Sequence, residues 1–312
     1  MSSTGRISNG PAFRLGCFDT NRTASSISAA SNESVWATLF RRGELARLRA
    51  QKGKAAARNL SISHNPKAMD KRGRLNELAG LAEIRGRLQK LSSKETAKVL
   101  QWFFRTGPGE YGEGDVFIGI KIPPLRKLAG EFKDVRLKTV KALLRSKIHE
   151  ERALALMILV RQFARADMKL REQIYDCYLA QTRYIDNWDL VDGSAPYIVG
   201  PFLWNRDRSQ LYILAKSNSL WERRIAILST RHFIRQNDFA DALKISGLLL
   251  SDRHVLIHKA VGWMLREIGK RVVKVEKAFL KSHYLKMPRT MLRYAIERFS
   301  DSQRRKYLLG KI

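Results

Sequence analysis

The chain is short of cysteine, of acid and of uninterrupted apolar sequence. Cys17 and Cys177 are its only two cysteines, far apart among 312 residues. They build no disulfide framework and no metal-type Cys/His spacing, so a reducing compartment is the simpler setting. No run approaches the roughly 18 apolar residues that a membrane-crossing helix needs, so no membrane span is expected. Asp and Glu number 29 against 59 Lys and Arg, a formal net charge of +30. The excess is not confined to a tail, because residues 1–94 carry +12 and the remainder +18. Such a surface favours phosphate, with counterion release as the driving term, and nucleic acid is the first partner to consider. An anionic membrane, an acidic protein, and ribosomal or RNA association are the competing classes.

Alternation of the β type is also missing, apart from one short piece at 116–122. Residues 1–74 read as a flexible basic extension, rich in Ser, Asn, Gly and Ala. Within it, 36–60 has the makings of a basic helix, and the Arg- and Ser-rich start has the composition of a transit peptide. Residues 75–312 read as one helical domain. Helical spacing predicts segments 75–91 and 95–105, then a Gly-rich loop from Gly107 to Gly114 that matches neither a P-loop nor a dinucleotide fingerprint. Pro123 and Pro124 suit a helix start. Further helices follow at 137–145, 150–164, 168–181, 187–203, 209–217, 221–236, 239–249, 255–269, 272–282 and 288–299. Short connections between helices of this length predict an all-α fold of stacked antiparallel pairs, a HEAT-like superhelix.

The most informative stretch is NWDLVDGSAPYIVG, from Asn187. Asp186 and Asn187 suit a helix cap. Trp188 and Asp192, four apart, share a helix face. Pro196 has no N–H to give the Asp192 carbonyl, which predicts a kink there. An indole and a carboxylate are thus presented side by side. In LWERRIAIL, Arg223 and Arg224 point about 100° apart, one toward a groove and one toward solvent. In HKAVGWMLREIGKR, Trp263 and Arg266 share a face, and Gly262 permits close approach. A core Trp beside a solvated polar residue is the ordinary explanation of any one such helix. Three together are less ordinary. His232, His254, His258 and His283 lack ligand spacing, and no metal or other cofactor is expected.

These three segments resemble the core motifs of the DNA alkylation repair family, the AlkD-type HEAT-like-repeat glycosylases. The stretches YGEGDVFIGIKIPPLRKLA from Tyr111 and MPRTMLRYAIE from Met287 resemble the same family, and the likeness runs over about 95–300 in the expected order. The resemblance implies a positively charged concave face on duplex DNA and hydrolysis of the N-glycosidic bond of cationic N3- and N7-alkylpurines. It implies catalytic roles for Asp192, Trp188, Trp263 and Arg224 and a DNA contact from Arg266, and Arg223, Lys259, His232 and Tyr111 are further candidate DNA contacts. His232 stands about where some members carry a DNA-contacting lysine. The implied enzyme is a cytoplasmic, monomeric, monofunctional glycosylase that cuts no strand. The competing expectations are a non-catalytic DNA- or RNA-binding module and a protein-interaction scaffold.

Overall fold

The computed structural model describes residues 70–312, with side chains from residue 80 onward. The extension read at 1–74, with its basic helix and transit-like start, lies outside the described residues up to residue 69.

Among the described residues the chain is α-helical, with no named strand. It begins with α1 (Asp70–Leu91), α2 (Lys94–Phe103), α3 (Ile122–Glu131), α4 (Leu137–Leu144), α5 (His149–Arg165) and α6 (Met168–Leu179). The short helices α7 (Trp188–Asp192) and α8 (Val199–Leu203) follow, then α9 (Ser209–Ala215) and α10 (Leu220–Arg235). The chain closes with α11 (Ala240–Leu248), α12 (Val255–Gly269), α13 (Val273–His283), α14 (Arg289–Ala295) and α15 (Asp301–Leu308).

Local sequence explains most of these boundaries. Ser93, Asp167, Asn187, Ser219 and Ser300 each cap a helix, their side-chain oxygens accepting a backbone N–H of the first turn. Each such cap contributes about 1 kcal/mol. Prolines sit at the start of α3, where the missing N–H costs nothing. The extended piece expected at 116–122 is reduced to a single parallel bridge, Val116 to Ile148, and helix α3 has already begun at Ile122. Helix α15 was not among the expected segments. Its eight residues are mostly polar and bury only Tyr307, so apolar spacing gave no sign of it.

An inner row of helices runs from α5 to α7, which with α8 packs on α10, and on through α12 to α14. Helices α4, α9, α11 and α13 pack behind this row. The core between the layers is aliphatic: Leu143, Leu154, Ile158, Ile225, Leu228, Met264 and Met291 are all fully buried. The segment expected as one helix at 187–203 is broken into α7, a 3-10 turn at Ala195–Tyr197, and α8. Pro196 lies in that turn, and Gly193 caps α7 directly after Asp192. The expected kink is therefore a full interruption, because Pro196 can donate nothing to the Asp192 carbonyl. At Gly262 the close approach is made by another helix: a methyl group there would overlap the Met291 carbonyl and the Tyr294 side chain of α14.

Candidate functional site

Helix α7 is only five residues long, and it carries Trp188, Asp189 and Asp192. Asn187 fixes its start by accepting the Trp188 N–H at 2.8 Å. The Trp188 ring stacks on Phe104 at 5.3 Å and meets the edge of Phe103 at 6.0 Å. Its indole lies beside the phenol of Tyr111, which packs edge-on against Trp221 at 6.3 Å. Trp188 and Tyr111 are both half-buried, and Phe103 is exposed beside them. The Gly-rich loop thus brings Tyr111 to α7, a contact that sequence spacing alone does not show.

Asp192 lies deeper, 4% exposed. Both of its oxygens are held by Arg224 from α10, whose Nε and Nη2 donate at 2.8 Å each. Arg224 is buried as well, and its remaining Nη1 donates to the Leu256 carbonyl at the start of α12. Burial pushes the Asp192 carboxyl up, and the Arg224 guanidinium, with Arg231 farther off, opposes that push. Two nitrogens of the Arg224 guanidinium donate and both carboxylate oxygens accept, so the fork itself requires the ionised acid. Lys259 of α12 is half-buried near Arg224 and Arg105, and burial and these two cations push its amine down.

The other residues singled out in the sequence are placed elsewhere along the row. Arg223 turns away from Asp192: its Nε donates to Asp252 at 2.6 Å and its Nη1 to the Ser217 and Asn218 carbonyls. Neither arginine of the pair points into open solvent. Trp263 is buried, donates its indole N–H to Glu267 at 3.1 Å, and has the Arg231 guanidinium 5.4 Å from its ring centre. Arg266 is buried and paired with Glu297. His232 packs at the edge of Trp204, and the Gly200 backbone lies against its Cβ. Burial, with Arg235 and Arg208 nearby, brings His232 down to about 4, so its ring is neutral at physiological pH.

A second polar centre adjoins α7 and had no sequence signal. The buried His149 ring receives Asp115 Oδ2 at Nδ1, 2.7 Å away, and Asp189 Oδ2 at Nε2, 2.9 Å away. Arg152 donates to Asp115 at 2.8 Å and pairs with Asp186 at 3.1 Å. Carboxylates only accept when ionised, so both ring nitrogens donate and the ring is an imidazolium. Burial works against that charge, yet the two carboxylates outweigh it and raise His149 to about 9. One residue further on, the buried Glu150 accepts the N–H groups of Ile118, Gly119 and Ile120 at 2.8–3.1 Å. His149 and Glu150 therefore anchor residues 115–120, directly after the Gly-rich loop that delivers Tyr111. Among the described residues no group of three or more His, Cys, Asp or Glu is arranged to hold a metal ion. No described helix is long and apolar enough to cross a membrane.

The family model for the DNA alkylation repair enzyme matches residues 84–299, which includes the loop, α7, α10, α12 and α14. The chain belongs to that family. A DNA alkylation repair protein is an enzyme of DNA repair, and DNA is the substrate this membership carries. Among solved structures the chain is similar to a predicted DNA alkylation repair enzyme from Enterococcus faecalis. The two share 17% identity over 67% of this chain and 97% of the other, with a TM-score of 0.53. At that identity the likeness concerns the fold. A search of curated protein sequences finds no significant match.

Proposed function

We propose that this repair protein is a monofunctional DNA glycosylase that hydrolyses the N-glycosidic bond of cationic N3- and N7-alkylpurines in duplex DNA. The observation that carries the reading is the pairing on α7: a half-buried indole and an arginine-held carboxylate, one helical turn apart, beside Lys259 and Arg105. An alkylated purine already bears positive charge, so it departs as a neutral base without a general acid. Positive charge then builds on the deoxyribose as the bond stretches. Asp192 stabilises that charge and orients the water that adds to C1′, whose proton is released to solvent. The Trp188 face attracts the cationic base or sugar through its quadrupole. Trp263, deeper in the row, acts by fixing α12.

Arg224 links the two halves of the mechanism. Its fork keeps Asp192 ionised before DNA arrives. A backbone phosphate entering beside Lys259 competes for the guanidinium, which frees one carboxylate oxygen to face the sugar. Tyr111 and Lys259 lie at the mouth and contact DNA directly. Arg223, Arg266 and His232 are engaged with protein groups, so they shape the surface that meets DNA. The chain acts as a monomer in the cytoplasm, with residues 75–312 as the repair domain and the basic residues before them adding non-specific phosphate affinity.

One observation favours a second reading. Asp192 is almost inaccessible and both its oxygens are occupied, as in a purely structural ion pair. That reading makes the chain a DNA-binding module without chemistry. Release of free N7-methylguanine from duplex DNA, lost in Asp192→Asn, separates the two.

A further inference from the structure

Between the C-terminal ends of α10 and α12 lies a cavity of about 430 Å³. Arg231, Arg235, Lys270 and Arg271 line it, and its single acid is Glu267. That acid is already committed: Lys270 donates to it at 2.6 Å and the Trp263 indole at 3.1 Å. Although burial works against it, Lys270 and Arg231 hold the Glu267 carboxyl below its ordinary range. Arg271 donates only to the neutral Asn237 amide oxygen, at 3.0 Å.

Arg231 is the telling member. It is 5% exposed, and its one hydrogen bond, at 3.3 Å, is to the Tyr197 phenol. Its Nε is buried with no hydrogen-bond acceptor among the described residues. A buried guanidinium donor without an acceptor is costly. Arg235 is open to solvent, has no carboxylate within ion-pair distance among the described residues, and has its basicity reduced by burial of its inner part and by Arg231. Cations at the ends of α10 and α12 offset the helix dipoles. That role accounts for a charge at each end, but not for a buried Nε without an acceptor.

We propose that Arg231, Arg235, Lys270 and Arg271 form a phosphate-binding site in this cavity. The group bound is a tetrahedral phosphate oxyanion, supplied either by the DNA backbone or as free phosphate. Three guanidinium groups and an ammonium line the cavity, the arrangement suited to multidentate oxyanion recognition. Arg224 and Arg235 are eleven residues apart on the same helix, about 16 Å at 1.5 Å per residue. A backbone phosphate held here would fix the duplex at a second point, away from α7. As a DNA contact the site rests on the glycosylase reading only in sharing its substrate.

The test uses the full chain and undamaged duplex DNA, so base release does not enter. The slope of log affinity against log salt is measured for the wild type, for Arg235→Gln/Arg271→Gln, and for Arg235→Lys/Arg271→Lys. In parallel, inorganic phosphate is titrated while the Nε–H resonance of Arg231 is followed. Each lost phosphate contact lowers the slope by about 0.9. A drop of about one in the Gln pair, restored in the Lys pair, establishes the site with the DNA backbone as its source. An unchanged slope with a phosphate-dependent Arg231 shift, absent in the Gln pair, establishes it for free phosphate. If neither the slope nor the resonance responds, the proposal is overturned, even for a protein that releases base. A changed slope in a protein that releases no base leaves the site standing and removes the glycosylase reading.

Discussion

Asp192 and Arg224 meet as two parallel hydrogen bonds, Nε to Oδ1 and Nη2 to Oδ2, both at 2.8 Å, across a seam that water barely reaches. Neither partner tolerates loss of the other, because removing one leaves a buried charge uncompensated. Arg224→Leu is expected to destabilise the fold by about 3–5 kcal/mol. Urea unfolding followed by circular dichroism measures this. Asp192→Asn also leaves the buried Arg224 charge unpaired and turns an amide NH2 toward it, so a stability loss of similar size is expected beside its effect on chemistry.

The His149 clamp gives stability a pH dependence of known sign. Folding raises His149 from an ordinary 6.5 to about 9, so its contribution is fully present below about pH 6.5 and is lost as pH rises through 9. A shift of that size corresponds to something on the order of 3 kcal/mol. Unfolding free energies at pH 6.5 and 9.5 should differ by this amount in the wild type. They should differ much less in His149→Gln.

Lys259 should behave as a pure phosphate contact. No carboxylate among the described residues pairs with it, and its amine already sits uneasily beside Arg224 and Arg105. Lys259→Gln is expected to leave the melting temperature unchanged or slightly raised. The salt dependence of DNA binding should fall by about one unit of slope. Fluorescence-anisotropy titrations at several salt concentrations read it.

Gly262 sets the distance between α12 and α14. A methyl group there meets the Met291 carbonyl and Tyr294 Cβ, which are backbone or near-backbone atoms that cannot swing aside. Gly262→Ala should therefore destabilise by about 1–3 kcal/mol despite the higher helix propensity of Ala. Thermal denaturation checks this, and an exposed glycine such as Gly86 on α1, with open space around it, is the control that should gain stability.

Helix positions were legible because each helix buries one apolar face: the segment expected at 137–145 is α4, and that at 255–269 is α12 to the residue. The α7 motif was legible because Pro196 and the cap at Asn187 act within a few residues. The His149 centre was not, since Asp115 and Asp189 stand 34 and 40 residues from it and only the fold joins them. The burial of His149, Glu150, Glu151 and Arg152 was hidden for a related reason. Four polar residues opening a helix normally face water, and here residues 115–120 and α1 cover them. Trp102 is the opposite case. Its spacing with Val99 and Phe103 reads as a core face, yet α2 buries none of its residues and Trp102 is 78% exposed.

The central claim is that Asp192 performs chemistry. The most direct measurement is the release of free base from duplex DNA carrying N7-methylguanine, by the full chain and by Asp192→Asn, with DNA affinity measured for both. The account predicts release by the wild type and a loss of about 10²–10³ in rate in the variant, at unchanged affinity. Salt-sensitive DNA binding with no release from this substrate or from N3-methyladenine DNA would contradict it and leave a DNA-binding module in its place.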